Sequence, residues 1–598
     1  MKAPKMALAF ASVLAAAALT LSACGGGSST AGSTQTGGGT TGGGAPSGGA
    51  PAFDAASSGI VNPSTRTGGT LNLVSTADCD SWDPARTYYG WCWNMQRLFT
   101  RTLVGWQTVN GTSFKLAPDL ATSLGKHNAD RTEWTYTLKP GLKFSNGNPI
   151  TPTDIKYAVS RLYAADQITG GPTFYFTTIL KAPTSYKGPY NGGGPLPNTA
   201  ISTTKNSITF HLKSPFGDFD YLMALPTAAP VPANVEGGPK YKGGTYTKMP
   251  VSSGPFMIKQ YVPNQSVTFV RNPDWSQSTD TIRHPLVDQV NLTIDSNSDD
   301  ADQKLLAGTY DANASAPLGP TARAQVVSNP QKKIYADDPV SAFTSYLSVI
   351  PSVIPNLDCR KAIFYAVNKA AYLQTYGGEY AGQVAGSMTP PGIAGNDPSS
   401  NMYPSGTDNT GDTAQAKAEL QKCGKPNGFS TKIAYRTSPA VQKQLAVSLQ
   451  SSLAKVGINA TLVGADASSY YNTFIGSPKN LQNQGLGITL NGWGADFPTP
   501  YGFFFSIADG QAIAPTANYN TASLNDPTVN GVLAKALKGT ATVTDYKNMD
   551  DAIMKTATNL PMVWGKNLYY RNPQMTNVTS NNAQAFGIYD FVNAGVNG

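Results

Sequence analysis

The stretch from residue 430 to 463 constrains the fold more than any other. Lys432-Ile433-Ala434-Tyr435 reads as a strand and Ser438-Pro439 opens a long helix, with Val441, Leu445, Leu449, Leu453 and Val456 lining one face at helical spacing. Gly457 stops that helix, and Ile458, Ala460 and Leu462 alternate into a second strand. Strand, helix and strand in this order pair in parallel through a right-handed crossover, which makes this region α/β. Helices expected over 358–370 and 412–423 lie just upstream, so the α/β region runs roughly from 336 to 560.

The region before it is richer in strands. Gly68-Gly69-Thr70-Leu71-Asn72-Leu73-Val74 reads as a first strand near the start of the folded body, and Trp134-Thr135-Tyr136-Thr137-Leu138 alternates before breaking at Pro140-Gly141. Thr151-Pro152-Thr153-Asp154 carries the start of a helix: a capping threonine, a proline at the first helical position and an acid closing a capping box. Ile155, Ala158, Val159 and Leu162 then give it one apolar face. With 598 residues, several domains or one large multi-lobed body are expected.

The N-terminus addresses the chain to a membrane surface. Lys2 and Lys5 precede a small-apolar run, Ala7 to Ala23, which ends in Leu21-Ser22-Ala23-Cys24. Seventeen residues, eight of them alanine, are short and weakly apolar for a spanning helix, and they suit a secretory signal, residues 1–23. Leu-Ser-Ala-Cys resembles the site where bacterial lipoproteins are acylated, which assigns Cys24 as the lipid attachment residue and the outer face of the cytoplasmic membrane as the location. Two or more acyl chains hold a protein there stably. Residues 24–64 are largely Gly, Ser and Thr and read as a lipid-anchored tether. Charged residues make up only 13% and the net charge is +8, with no basic run, so nucleic acid is not an expected partner.

Five cysteines less Cys24 leave Cys79, Cys92, Cys359 and Cys423, an even set in an oxidising compartment, where disulfides are favoured over metal. The three histidines are scattered and no CxxC occurs, so neither a metal nor another cofactor is expected.

A series of motifs then carries a family resemblance. Gln96-Arg97-Leu98, Leu116-Ala117-Pro118-Asp119-Leu120-Ala121 and Lys139-Pro140-Gly141-Leu142-Lys143-Phe144-Ser145-Asn146-Gly147 come first. Ser253-Gly254-Pro255-Phe256, Arg271-Asn272-Pro273-Asp274-Trp275, Cys359-Arg360-Lys361-Ala362-Ile363 and Gly492-Trp493-Gly494-Ala495-Asp496-Phe497-Pro498 follow. In content and order the chain resembles the extracytoplasmic oligopeptide/dipeptide/nickel-binding proteins of ABC importers, family 5, over about residues 67–598.

The resemblance implies a two-lobed fold of the periplasmic-binding-protein type (type II), in its large form. Lobe I would comprise 65–337 and 564–598, with a subdomain inserted near 100–245, and lobe II 338–563. Ligand, most simply an oligopeptide, would sit in the cleft and be handed to the membrane permease of an ABC importer by a protein acting as a monomer. At the matching position Asp496 would receive the ligand's α-ammonium, with the Gly492-Trp493 segment supplying backbone groups and a wall and Asn491 beside them among the ligand-binding residues; capping the local turn with Pro498 and Pro500 is its alternative role. Tyr88, Tyr89 and Gly90 occupy the place where lobe I meets ligand, with a surface or hinge-packing aromatic cluster as the alternative; Phe174-Tyr175-Phe176 is a weaker candidate of the same kind that reads first as core. Of the three possible connectivities, Cys79–Cys92 and Cys359–Cys423 are expected: the first closes a short loop beside the cleft, the second joins the start of one helix to the end of another. A sugar or metal chelate is the alternative ligand, and no residue presents itself to hold a ligand carboxylate.

An enzyme is the competing class, with a passive surface lipoprotein beside it. Ser123-Leu124-Gly125-Lys126 and Ser452-Leu453-Ala454-Lys455 both match the Ser-x-x-Lys of acyl-enzymes, but Lys-Thr-Gly is absent and Ser452 falls inside the amphipathic helix. No Gly-x-Ser-x-Gly elbow occurs, and the expected protein is not an enzyme.

Overall fold

The strand that begins the body, Thr70–Ser75, lies inside a five-stranded sheet ordered Ala312–Asn313, Thr70–Ser75, Gln289–Ile294, Ser266–Arg271, Phe256–Val262. It pairs in parallel with both neighbours, and Leu71, Leu73 and Val74 are fully buried because both of its faces are covered. This computed structural model describes residues 52–109, 113–190, 193–233, 245–581 and 587–597, all within one compact unit, 48–598. The expected signal segment, Cys24 and the tether as far as residue 51 lie outside the described residues.

The inserted subdomain is built on a second sheet ordered Lys126–His127, Glu133–Thr137, Ser207–His211, Ile201–Thr203. Trp134, Tyr136, Ile208 and Phe210 are its buried alternate residues. Helix Pro152–Arg161 covers it with Ile155, Val159 and Leu162. Asp154 Oδ2 accepts from both the Thr151 backbone N–H (2.8 Å) and the Thr151 hydroxyl (2.7 Å), as the capping residues predict.

Lobe II holds a six-stranded sheet ordered Gly382–Val384, Asn559–Lys566, Val340–Val349, Ile488–Gly494, Ser430–Arg436, Asn459–Ala465. Ser430–Arg436 and Asn459–Ala465 are parallel and joined by helix Val441–Ala454, which starts two residues after Pro439. Gly457 takes a left-handed φ of 83°, where a side chain would be strained. The sheet as a whole is mixed rather than parallel. Val340–Val349 carries the chain in from the hinge and Asn559–Lys566 carries it back, so these two must oppose each other. The helix expected over 358–370 is two helices, Leu357–Ala366 and Lys369–Tyr376: Val367 is extended, and the Asn368 side chain caps the second by accepting from Ala371 N.

At the hinge, Ala336–Asp337 pairs antiparallel with Tyr569–Tyr570. Strand Asn559–Lys566 runs through position 564 and leads into that pairing. The body starts earlier than residue 65. Asp54 N–H donates to Ala336 O (2.9 Å), Ala56 N–H to Asp337 Oδ1 (2.8 Å), and Asp338 N–H to Asp54 Oδ1 (2.8 Å). Phe53 meets Tyr380 edge-on, with the Lys333 ammonium 4.9 Å from its ring. Polar spacing hid this segment, because it is held by backbone and capping bonds rather than by an apolar run.

Cys79 is joined to Cys92 and Cys359 to Cys423. The first bond ties the loop before helix Gly90–Phe99 to its first turn; the second ties the first turn of helix Leu357–Ala366 to the end of helix Thr413–Lys422.

Candidate functional site

Strand Ile488–Gly494 ends at the mouth of the cleft, and the chain turns there through Asp496, Phe497 and Pro498 into helix Pro500–Ala508. Thr499 caps that helix, its hydroxyl accepting from Gly502 N (3.0 Å). The Asp496 carboxylate therefore takes no part in the turn and points elsewhere. Its Oδ2 accepts hydrogen bonds from the Tyr88 hydroxyl (2.7 Å) and the Tyr175 hydroxyl (2.8 Å), both from lobe I. Burial pushes this carboxyl above the usual carboxylate range, and the two hydroxyl bonds oppose that push.

Tyr88 is held in place by its own loop. The Cys79–Cys92 bond closes the loop, Asp80 Oδ2 accepts from Tyr88 N (2.7 Å), and Tyr88 packs 5.8 Å from Trp93. Asp83 in the same loop is paired with buried Arg161 of the insert, which ties body and insert together behind the tyrosine. Tyr175 comes from the short helix Phe174–Ile179 and rests on Phe497.

Between the lobes, Tyr88 and Asp496 border a cavity of about 1050 Å³. Tyr88, Tyr89 and Gly90 line it from lobe I, and Gly492, Trp493 and Asp496 from lobe II. A methyl group placed on Gly492 would meet no atom within 4 Å, so this glycine keeps space open. Trp493 lies 5.4 Å from Tyr519, and its buried indole Nε1 has no hydrogen-bond partner among the described residues. A hollow of the same volume on the insert is walled by Tyr163, Tyr186 and Tyr190, all from that subdomain. Movement of the lobes cannot enclose it.

Asn491, expected at the site, is not among the cavity-lining residues. Its carboxamide donates to Ser348 Oγ (2.9 Å) and Thr489 Oγ1 (2.8 Å) inside lobe II, because a buried amide takes the nearest acceptors the sheet offers. Conversely, Phe174 lines the cavity and Tyr175 bonds Asp496, although both read as core in sequence; aromatic residues fit either role. Tyr471, Tyr519 and Phe343 also line the cavity without a sequence signal. Arg436 ends the first strand of the strand–helix–strand unit and, like Asn491, is not among the cavity-lining residues. Its guanidinium lies 5.6 Å over the ring of Tyr471, and Nε is buried without a partner among the described residues.

Two lobes around a cleft with a desolvated acid on its wall define a solute-binding protein. The sequence model for bacterial extracellular solute-binding proteins, family 5, matches residues 115–514, and the chain belongs to that family. The solved structure of clavulanic acid biosynthesis oligopeptide binding protein 2 is 36% identical, with a TM-score of 0.85 over 92% of this chain and 99% of that one. The probable D,D-dipeptide-binding periplasmic protein DdpA of Escherichia coli (strain K12) is 25% identical over 81% of this chain and 87% of its own length. The glutathione-binding protein GsiB of Salmonella paratyphi A is 24% identical over 73% and 78%. A binding protein from Helicobacter pylori, DppA, in complex with the peptide STSA, shares the fold at 21% identity and a TM-score of 0.66, over 89% of this chain and 98% of that one.

Proposed function

We propose that this protein captures oligopeptides in the cleft between its lobes and delivers them to the permease of an ABC importer, without chemistry on the ligand. The observation that carries this reading is Asp496: a desolvated carboxylate at the cavity wall whose protein partners are two neutral hydroxyls. Such a group is suited to a ligand cation, and the α-ammonium is the cation every unblocked peptide has. Trp493 adds an aromatic wall on the same side of the cavity. Tyr88, Tyr89 and Gly90 form the opposite wall, with backbone at Gly492 open to the peptide. Relatives named for a dipeptide, for glutathione and for oligopeptides support the class. The chain works on the outer face of the membrane, anchored through Cys24 by the tether, as a monomer.

The test is native mass spectrometry of protein purified without denaturation, then offered a pool of peptides of two to five residues. Free-amino peptides should be retained and their N-acetylated counterparts should not. Gly492→Trp should fold and lose the peptides, because the added ring fills the cavity. Retention of a single sugar or metal-chelate mass in place of peptides would sink the peptide reading, and Cys24→Ser protein that still reaches the membrane in processed form would sink the anchor.

A further inference from the structure

Three parts of the molecule meet at one oxygen atom. Tyr88 comes from the disulfide-closed loop of the lobe I body, Tyr175 from the inserted subdomain, and Asp496 from lobe II. Both hydroxyls donate to Oδ2, and neither has another acceptor; Oδ1 accepts no hydrogen bond among the described residues. Among the described residues, the groups facing this cluster are Tyr519 beside Tyr88 and Tyr501 beside Tyr175, with no lysine, arginine or histidine facing the carboxylate.

A carboxylate removed from water as two lobes meet loses its hydration, and without replacement donors it takes up a proton. A protonated acid would bind an ammonium poorly. Two hydroxyls supply the replacement while adding no charge, so the negative charge of Asp496 stays available to a ligand. A lysine in their place would neutralise it. Because the donors sit on the other lobe, the exchange of water for hydroxyl happens only when the lobes come together.

We propose that Tyr88 and Tyr175 are positioning residues that hold Asp496 as an anion when the lobes meet, leaving Oδ1 for the ligand's ammonium. This rests on the reading of Asp496 as the ammonium site. It makes capture and closure one event: the acid is preorganised for the cation in the conformation that encloses it.

The experiment uses Tyr88→Phe, Tyr175→Phe and the double variant, which keep the ring packing, beside wild type and Asp496→Asn. Each is offered the pool of free-amino peptides from pH 5 to pH 8.5, with the N-acetylated pool as control, and bound fractions are read by native mass spectrometry. Each hydroxyl deletion should weaken free-amino binding by about tenfold, the size of a hydrogen bond to a charged group. Removing donors raises the carboxyl further, so the pH below which binding fails should move upward, furthest in the double variant. Loss by the same factor at every pH would assign the tyrosines a packing role and overturn the proposal. If Asp496→Asn loses the peptides while the double variant matches wild type in affinity and pH profile, the proposal falls and the ammonium reading stands. If Asp496→Asn binds as wild type does, or wild type retains no peptide, both fall.

Discussion

Asp119 and Asp280 in lobe I are fully buried carboxylates and Asp496 on the cleft wall is a half-buried one, and the two regions treat them in opposite ways. In lobe I, Arg101 Nε lies 2.7 Å from Asp119 Oδ1, while Arg283 Nη1 lies 2.8 Å from Asp119 Oδ2 and 3.2 Å from Asp280 Oδ2. Burial alone would raise the Asp280 carboxyl, but the Arg283 and Arg101 charges hold it well below the usual range. In the cleft, burial raises Asp496 and only neutral hydroxyls oppose it. Asp550 separates two parts of this contrast. It too is buried and raised, with the Thr389 hydroxyl (2.6 Å) and the Thr389 and Met388 backbone N–H groups as donors, but it is sealed inside lobe II, only 4% exposed. A buried acid with its own arginines is part of the scaffold; one with neutral donors alone is free for a ligand cation when a cavity gives access.

The comparison can be broken by removing one acid from each region. Asp119→Asn leaves Arg101 and Arg283 short of charge in a sealed site and should lower stability by about 3–5 kcal/mol, read by chemical denaturation. Peptide affinity of the surviving folded protein should not change. Asp496→Asn should do the reverse: melting unchanged, free-amino peptide affinity down by about 2–5 kcal/mol in calorimetry, roughly thirty- to several-thousand-fold. Equal effects on both readouts from either variant would erase the distinction between scaffold and site.

Opening the Cys79–Cys92 loop tests whether the cleft side needs its staple. The 13-residue separation predicts a loss of about 3 kcal/mol in the Cys79→Ser/Cys92→Ser variant by loop entropy. Peptide affinity should fall as well, since Tyr88 sits in that loop. The corresponding change at Cys359 and Cys423, with 64 residues between them, predicts a loss of about 4 kcal/mol with affinity retained.

The smallest effect is the sign of the pH dependence. Asp218 of the insert accepts from the Thr499 hydroxyl of lobe II (2.6 Å), and burial pushes it up to about 6, above the unfolded value of about 3.9. The folded form then holds a proton that the unfolded form releases, so this group adds stability as pH falls from about 6 toward 4, by up to about 1.4 kcal/mol per unit. Asp280, held low, works the other way, and its contribution is lost only as pH falls below about 4. Denaturation at pH 7.5 and pH 5 should show the Asp218→Asn variant with the flatter slope. An unchanged slope would remove Asp218 from the account.

Much of the frame was legible because it depends on neighbours in the chain. The capping box at Thr151 and Asp154, the stop at Gly457 and the face Leu445, Leu449 and Leu453 are local patterns, and the structure contains each. Asp496 and Tyr88 were both marked by the resemblance. That Tyr88 and Tyr175 would meet Asp496 was not, because Tyr175 lies 321 residues from Asp496 and Tyr88 lies 408 away. No spacing rule links such positions. Asn491 shows the same limit: its motif places it on the right strand, and only the packed sheet shows that its side-chain amide is bonded to Ser348 and Thr489.

The sequence by itself determined the α/β class, the strand–helix–strand unit, the cysteines available for pairing and the acid at the end of strand Ile488–Gly494, since periodicity, caps and motif order act over a few residues. Tertiary structure alone decided that the sheet of lobe II is mixed, that Phe53 to Ala56 straps the hinge, and that the acid's donors come from two separate parts of lobe I. The physical reason is the same in each case. Burial and hydrogen-bond satisfaction are settled among groups that the chain brings together only on folding, and an Asp, a Tyr or an Asn does not carry in its neighbours the identity of the partner that will meet it.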